Sequence, residues 1–424
     1  MTSALPKIHV TESEQLHYDV LATQLVNNAL SRYSQFNGFI DTDDWRFVRR
    51  RRQMSVYRAI RGADVHSPFV TRMVGSGLIN GSLEDVMDGL YNDTTDNLRT
   101  GKTLFHYKLL DAAVVHVSER RSTSEPFRFS GIKWVAAKAA WGFVKHRELL
   151  TYERSGTIHD PTGREFAYHT IQSIDRSEWP PNAVRGVKRA TTSTCYLFQR
   201  LSDNHVEVFL WGEFLDANKI SHRAAEYTVA GLWLKVVYSV DCAEAKRYSK
   251  MLPREGGADF QNSRDACHIC FKSPGVFETP RHCASCQHSV CKTCSCSRAT
   301  FAIDVRTGKP LARRFCKLCA SKTIPTGNNK HDLKEMTGDS GLKLSKSLAS
   351  GEAAVMAKEE DPWTTSKLGN FDLGVASEAV DASKGAERPE AELTSRRSSK
   401  FERLSQHISP TTRWQQRIES GLFD

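Results

Sequence analysis

The hydrophobic pattern opens on one amphipathic stretch. Leu16, Val20, Leu25, Val26, Ala29, Leu30 and Tyr33 recur mostly at three- and four-residue steps, predicting a helix over 11–34. Thr11 and Glu14 have capping-box spacing at its start. The period then changes to short apolar runs that read as strands: 45–48, 54–60, 69–79, 112–118 and 132–140. Ser82 caps a short helix through Tyr91. Asp160-Pro161-Thr162-Gly163 separates two strand-like runs, and Asp203-Asn204 separates two more, so these pair as antiparallel hairpins. From Ser221 to about Met251 the helical period returns. Val229, Leu232, Trp233, Val236, Val237 and Val240 form one apolar stripe. A helix, many antiparallel strands and a long final helix predict an α+β domain.

Past that helix the chemistry changes. Four Cys-x-x-Cys pairs follow in order: Cys267/Cys270, Cys283/Cys286, Cys291/Cys294 and Cys316/Cys319. Such a knuckle turns two thiolates toward one metal, and two knuckles complete a tetrahedral site. Four knuckles predict two structural zinc ions. A closed four-thiolate site has no open position for water, so it holds a fold and performs no hydrolysis. A disulfide framework is the rival. The N-terminal sequence has no apolar run of signal-peptide length, which favours reduced thiols. Cys195 and Cys242 sit in apolar surroundings and read as core residues, and Cys296 as a spare thiol.

The four-residue step from Cys286 to Cys291, then Cys-Lys-Thr-Cys-Ser, and the ending Arg314-Phe315-Cys316 resemble the FYVE family of membrane-reading zinc fingers. That resemblance implies interleaved sites. Cys267, Cys270, Cys291 and Cys294 would hold one zinc; Cys283, Cys286, Cys316 and Cys319 would hold the other. It further implies a lipid headgroup site at Arg281, His282 and Arg314, and a bilayer-inserting pair, Val276 and Phe277. The family's His-His-Cys-Arg signature reads Arg281-His282-Cys283-Ala284 here, and its Trp-x-x-Asp is absent. With fewer cations, the expectation is salt-sensitive binding to anionic membranes with little preference for phosphatidylinositol 3-phosphate.

The N-terminal region carries a second resemblance. The run Lys145-His146-Arg147-Glu148-Leu149-Leu150, then Trp179-Pro180-Pro181, then Val184-Arg185-Gly186, the strand to Trp211 and the last helix are similar in order to START lipid-transfer domains. This pairing, a START domain followed by a FYVE-like finger, resembles an arrangement found in oomycete proteins. The resemblance implies a helix-grip fold over 12–252, a curved antiparallel sheet around a long C-terminal helix. It also implies a cavity for a lipid or sterol, walled by Val229, Trp233, Val236 and Val237. The finger occupies 262–322.

Composition adjusts the picture. The net charge of +10 over 424 residues favours anionic partners. No apolar run reaches the ~18 residues that cross a bilayer, so membrane contact is expected to be peripheral, from the cytoplasm onto endosomal or other internal membranes. No nucleic-acid partner is expected. Beyond 324 the chain is rich in Pro, Gly, Ser, Lys, Glu and Ala, predicting a disordered tail over 325–424 with a short helix near 411–422. Arg49 to Arg52 read as a solvated strand edge. No Gly-x-Ser-x-Gly, His-Glu-x-x-His or Gly-x-Gly-x-x-Gly motif is present, so no enzyme is expected. The leading expectation is a non-enzymatic lipid-binding protein. The alternative is an adaptor whose RING- or PHD-like finger binds proteins.

Overall fold

The structure is a computed structural model that describes residues 8–36, 40–41, 43–60, 70–138, 146–181, 186–215, 222–253, 266–273 and 281–323. The tail over 325–424, with its expected helix, lies outside the described residues. So do Val276 and Phe277.

Helix α1 (Glu12–Gln35) begins on the capping box: Thr11 Oγ1 accepts from the Glu14 N–H, and the Thr11 N–H donates to Glu14 Oε2 at 2.9 Å. Its buried face is Tyr18, Leu21, Ala22, Leu25, Val26 and Ala29. Leu16 and Val20 fall on the opposite side, Leu16 being 66% exposed, so the apolar face is narrower than the sequence period suggested.

Strands β1 (Trp45–Arg51), β2 (Met54–Ala59) and β3 (Val70–Asn80) lead to α2 (Leu83–Leu90), capped by Ser82, and α3 (Thr95–Leu104). Strands β4 (Leu109–Glu119), β5 (Phe129–Ala137), β6 (His146–His159), β7 (Glu165–Ser173), β8 (Val187–Arg189), β9 (Thr191–Ser202) and β10 (His205–Leu215) complete one ten-stranded sheet. Its order is β1-β2-β3-β10-β9-β7-β6-β5-β4, antiparallel throughout, with β8 parallel to the start of β6. Both expected hairpins form. In the β6–β7 turn, Asp160 Oδ1 accepts from the Thr162 and Arg164 N–H groups, and Gly163 supplies a φ of 82°.

The two-residue period sends neighbouring side chains to opposite faces. On β9, Cys195 and Leu197 face α1, together with Phe166, Phe209 and Trp211. Tyr196 and Phe198 face the C-terminal helices, with Met54, Val56, Val208 and Leu210. Two residues of the START resemblance pack on the α1 side. Trp134 Nε1 donates to Glu148 at 2.8 Å, and the Trp179 ring lies 5.4 Å from that of Trp134.

The expected long final helix is broken. Helix α4 (His222–Trp233) and α5 (Ser239–Lys250) are joined by a 3-10 turn, Leu234–Tyr238. Side chains from the sheet take carbonyls at the break: the Tyr196 hydroxyl donates to Trp233 O at 3.2 Å, and Arg52 donates to Val237 O at 2.8 Å. Carbonyls claimed from outside favour a locally tightened turn. The arginine run is therefore a solvated edge only in part, with Arg50 exposed on the edge strand. Arg49, 8% exposed, lies 4.2 Å over the Tyr227 ring, and Arg52 pairs with Asp241 at 2.6 Å. Helix α2 crosses α5 at Gly89, where a Cβ would meet Ser239 O at 1.9 Å.

The finger adds β11 (Ser295–Ile303), β12 (Pro310–Cys316) and α6 (Lys317–Ser321). It builds directly on α5. The Tyr248 ring lies 4.6 Å from Phe315, and the Phe301 N–H donates to Ser249 Oγ at 2.7 Å.

Candidate functional site

Two constellations bear chemistry. The first is the finger's sulfur. The eight knuckle cysteines converge as two groups, Cys267/Cys270/Cys291/Cys294 and Cys283/Cys286/Cys316/Cys319, each with its four sulfurs within 4.8 Å of one another. Four thiolates held ~2.3 Å from one ion in a tetrahedron stand ~3.8 Å apart. Cys270 and Cys291 are 3.7 Å apart, and Cys286 and Cys316 are 3.9 Å apart. All described cysteines are free thiols, and these separations exclude disulfides. Backbone amides support the sulfurs: Cys316 N–H points at Cys283 Sγ (3.2 Å) and Cys319 N–H at Cys316 Sγ (3.3 Å). Burial and the neighbouring sulfurs push the Cys294 thiol up to about 12, a crowding that a dication relieves. Each group can hold one metal ion. Cys296 belongs to neither; it pairs with Phe315 across β11 and β12.

The expected headgroup residues border the second sulfur group. The Arg281 carbonyl accepts from the Val290 N–H at 2.7 Å, and the Arg314 carbonyl accepts from Ala284 at 2.7 Å. His282 bridges to Ser289. The Arg314 guanidinium donates to Ser295 Oγ at 3.1 Å. The 281–284 segment is thereby tied to Arg314 through its backbone.

The second constellation lies inside the N-terminal domain, on the sheet face turned toward α4. Val229, Trp233, Val236 and Val237, the expected cavity residues, are all buried there in one apolar cluster. Among these apolar groups stands an ionic network that the sequence reading did not anticipate. Lys133 Nζ on β5 donates to Glu153 Oε2 on β6 at 2.8 Å. His169 Nε2 on β7 lies 3.2 Å from the same oxygen. The three are only 2%, 3% and 7% exposed. The His169 ring stacks near Tyr196, whose hydroxyl reaches α4. The other ring nitrogen, His169 Nδ1, is buried with no partner among the described residues.

The electrostatics follow from burial and pairing. Burial disfavours the Glu153 carboxylate, but Lys133 and then His169 outweigh it and hold it well below the usual range. Burial pushes the Lys133 ammonium down despite Glu153, and pushes the His169 imidazole down despite the same partner. Burial, then the Glu153 charge, raises the Tyr107 phenol, which places Tyr107 within reach of this network's field. Beside it, Val135 and Leu149, cross-strand partners, and Ile171 keep partial exposure although they sit within the sheet.

The sequence signal for the network was parity alone. Lys133 and His169 each share a face with an apolar residue two positions away, Val135 and Ile171, whereas Glu153 has Thr151 and Ser155 there, and register sets which strands meet.

No family model matches the chain, and no curated protein matches it. Among solved structures it is similar to human STARD10, at 11% identity over 58% of this chain and 86% of that one, TM-score 0.37. It is also similar to human StAR-related lipid transfer protein 5, at 12% identity over 54% and 98%, TM-score 0.37. A third is the human StarD13 (DLC2) lipid transfer and protein localization domain, at 13% identity over 50% and 92%, TM-score 0.33.

Proposed function

We propose that the chain is a non-enzymatic lipid-binding protein. An apolar-tailed ligand, a lipid or a sterol, occupies space between the sheet and α4, with its polar group at Lys133, Glu153 and His169. Two structural zinc ions hold the finger, which carries the protein to an anionic membrane surface through Arg281, His282 and Arg314.

One observation supports the ligand most: a charged network set within an apolar interior, with the buried His169 Nδ1 unpartnered. A buried ion pair seldom stabilises a fold better than apolar residues of the same size. A buried polar atom without a partner costs about 1–3 kcal/mol. Both costs are offset where a ligand hydroxyl or headgroup completes the network. Zinc is the metal suited to four thiolates. It would supply folding free energy that so small a module cannot draw from its own core.

The test is lipid uptake. The full chain, incubated with vesicles carrying fluorescent phospholipid and sterol probes, is expected to extract at least one of them. Val236→Asp is expected to abolish uptake, with circular dichroism confirming the fold. The double variant Lys133→Met/Glu153→Gln, which keeps the interior neutral, is expected to fold and to bind the probe more weakly. A folded wild-type chain that extracts neither probe contradicts the proposal.

A further inference from the structure

Away from the interior and the sulfur groups, a groove of about 520 Å³ opens where α2, α3 and α5 meet the finger. Its volume is in the range of small-molecule sites. Arg120, Arg121, Lys246 and Lys250 line it against two carboxylates, Asp88 and Asp93, leaving an excess of positive charge.

The arginine pairs are open to competition. Arg120 meets Asp93 at 3.3 Å and Arg121 meets Asp88 at 2.7 Å, with the arginines 58% and 42% exposed. Pairs so placed contribute little, and a multiply charged anion can displace a carboxylate from them. The Arg121 guanidinium also sits 4.2 Å over the Tyr91 ring, which helps hold it in place.

Lys246 is held differently. Its ammonium donates to Asp88 O at 2.5 Å and Tyr91 O at 2.6 Å, the carbonyl end of α2, and sits 5.1 Å over the Phe301 ring. Among the described residues these carbonyls, not a carboxylate, are its hydrogen-bond acceptors. Burial pushes this ammonium down, a cost that an arriving anion reverses. Neutral donors complete the lining: the Asn97 amide, and Ser249, whose oxygen accepts from Phe301 N–H and whose own proton remains to donate.

We propose that this groove binds a phosphorylated polyol, the chemistry shared by a free inositol phosphate and a phosphoinositide headgroup. Four cations answer the phosphates; Asn97 and Ser249 answer the hydroxyls. Phe301 comes from the finger and the cations from the N-terminal domain, so occupancy also fastens the two together. The proposal stands apart from the lipid interior and from the Arg281/Arg314 surface.

Calorimetry of the full, zinc-containing chain with inositol trisphosphate is the first arm. The second is sedimentation with phosphatidylcholine vesicles, with and without phosphatidylinositol bisphosphate. Arg120→Ala/Lys250→Ala alters two exposed side chains and leaves every buried cluster intact. It is expected to weaken trisphosphate binding about tenfold or more. Added salt is expected to weaken wild-type binding, and Arg313→Ala, on exposed β12, to leave it unchanged. Bisphosphate-dependent sedimentation that the double variant loses assigns the ligand to a membrane; trisphosphate binding without it assigns a soluble ligand. No binding of either probe by the folded chain, or binding that the double variant leaves intact, overturns the proposal.

Discussion

At the scale of single residues, the Lys133–Glu153–His169 network makes the sharpest demands. Lys133→Met leaves the buried Glu153 carboxylate with His169 but without its lysine cation, which should cost up to about 3–5 kcal/mol. Lys133→Met/Glu153→Gln should recover much of that loss, and urea unfolding of the two variants measures the difference. The pH dependence has a defined sign. His169 is depressed by burial, so below the ordinary imidazole value of ~6.5 the unfolded chain takes up a proton that the folded one refuses. Stability should fall as pH drops from ~7 toward ~5, and His169→Gln should show a shallower fall. The Glu153 contribution has the opposite origin: it is complete above the ordinary carboxylate value of ~4.3 and is lost only in stronger acid. The cysteine ligand sets were legible because a Cys-x-x-Cys knuckle is local. The network was not, since its members lie 20 and 16 residues apart and meet only through strand register. Arg49 and Arg52 misled for a related reason. A run beside a strand end looks like edge protection until the packed helix supplies Tyr227, Val237 and Asp241.

At the scale of elements, local signals located most of the secondary structure. The capping box starts α1, Ser82 starts α2, and both hairpin turns fall where Asp, Asn and Gly placed them. Thr11→Ala should cost about 1 kcal/mol, read as a lower thermal midpoint. Helix α3 was missed because Gly101 and five Thr, Asp and Asn residues weaken its intrinsic signal. The break between α4 and α5 was missed because the apolar stripe runs through it; Tyr196 and Arg52, far away in sequence, take the carbonyls. Tyr248, 2% exposed, belongs to α5 yet packs on Phe315 and among the finger's sulfurs. Tyr248→Ala should therefore destabilise the finger by about 3–5 kcal/mol. Faster loss of metal to a chelator in the variant than in the wild type would confirm it.

At the scale of the whole molecule, α5 serves both parts. It follows α4 behind the proposed lipid interior and forms the base on which β11 and β12 rest. Stripping metal should therefore loosen more than the finger. Hydrogen exchange after chelation should show lost protection in α5 as well, while the β6–β7 hairpin keeps its own. Unchanged α5 protection would mean that the finger sits on the helix without supporting it. The central claim, a lipid-holding interior beside a two-zinc finger, is tested most directly by native mass spectrometry of the intact chain. The account predicts a mass increment of two zinc ions together with one retained apolar ligand, and loss of the ligand alone in Val236→Asp. A folded chain that carries fewer than two metal ions, and no ligand even after incubation with phospholipid and sterol vesicles, would contradict it.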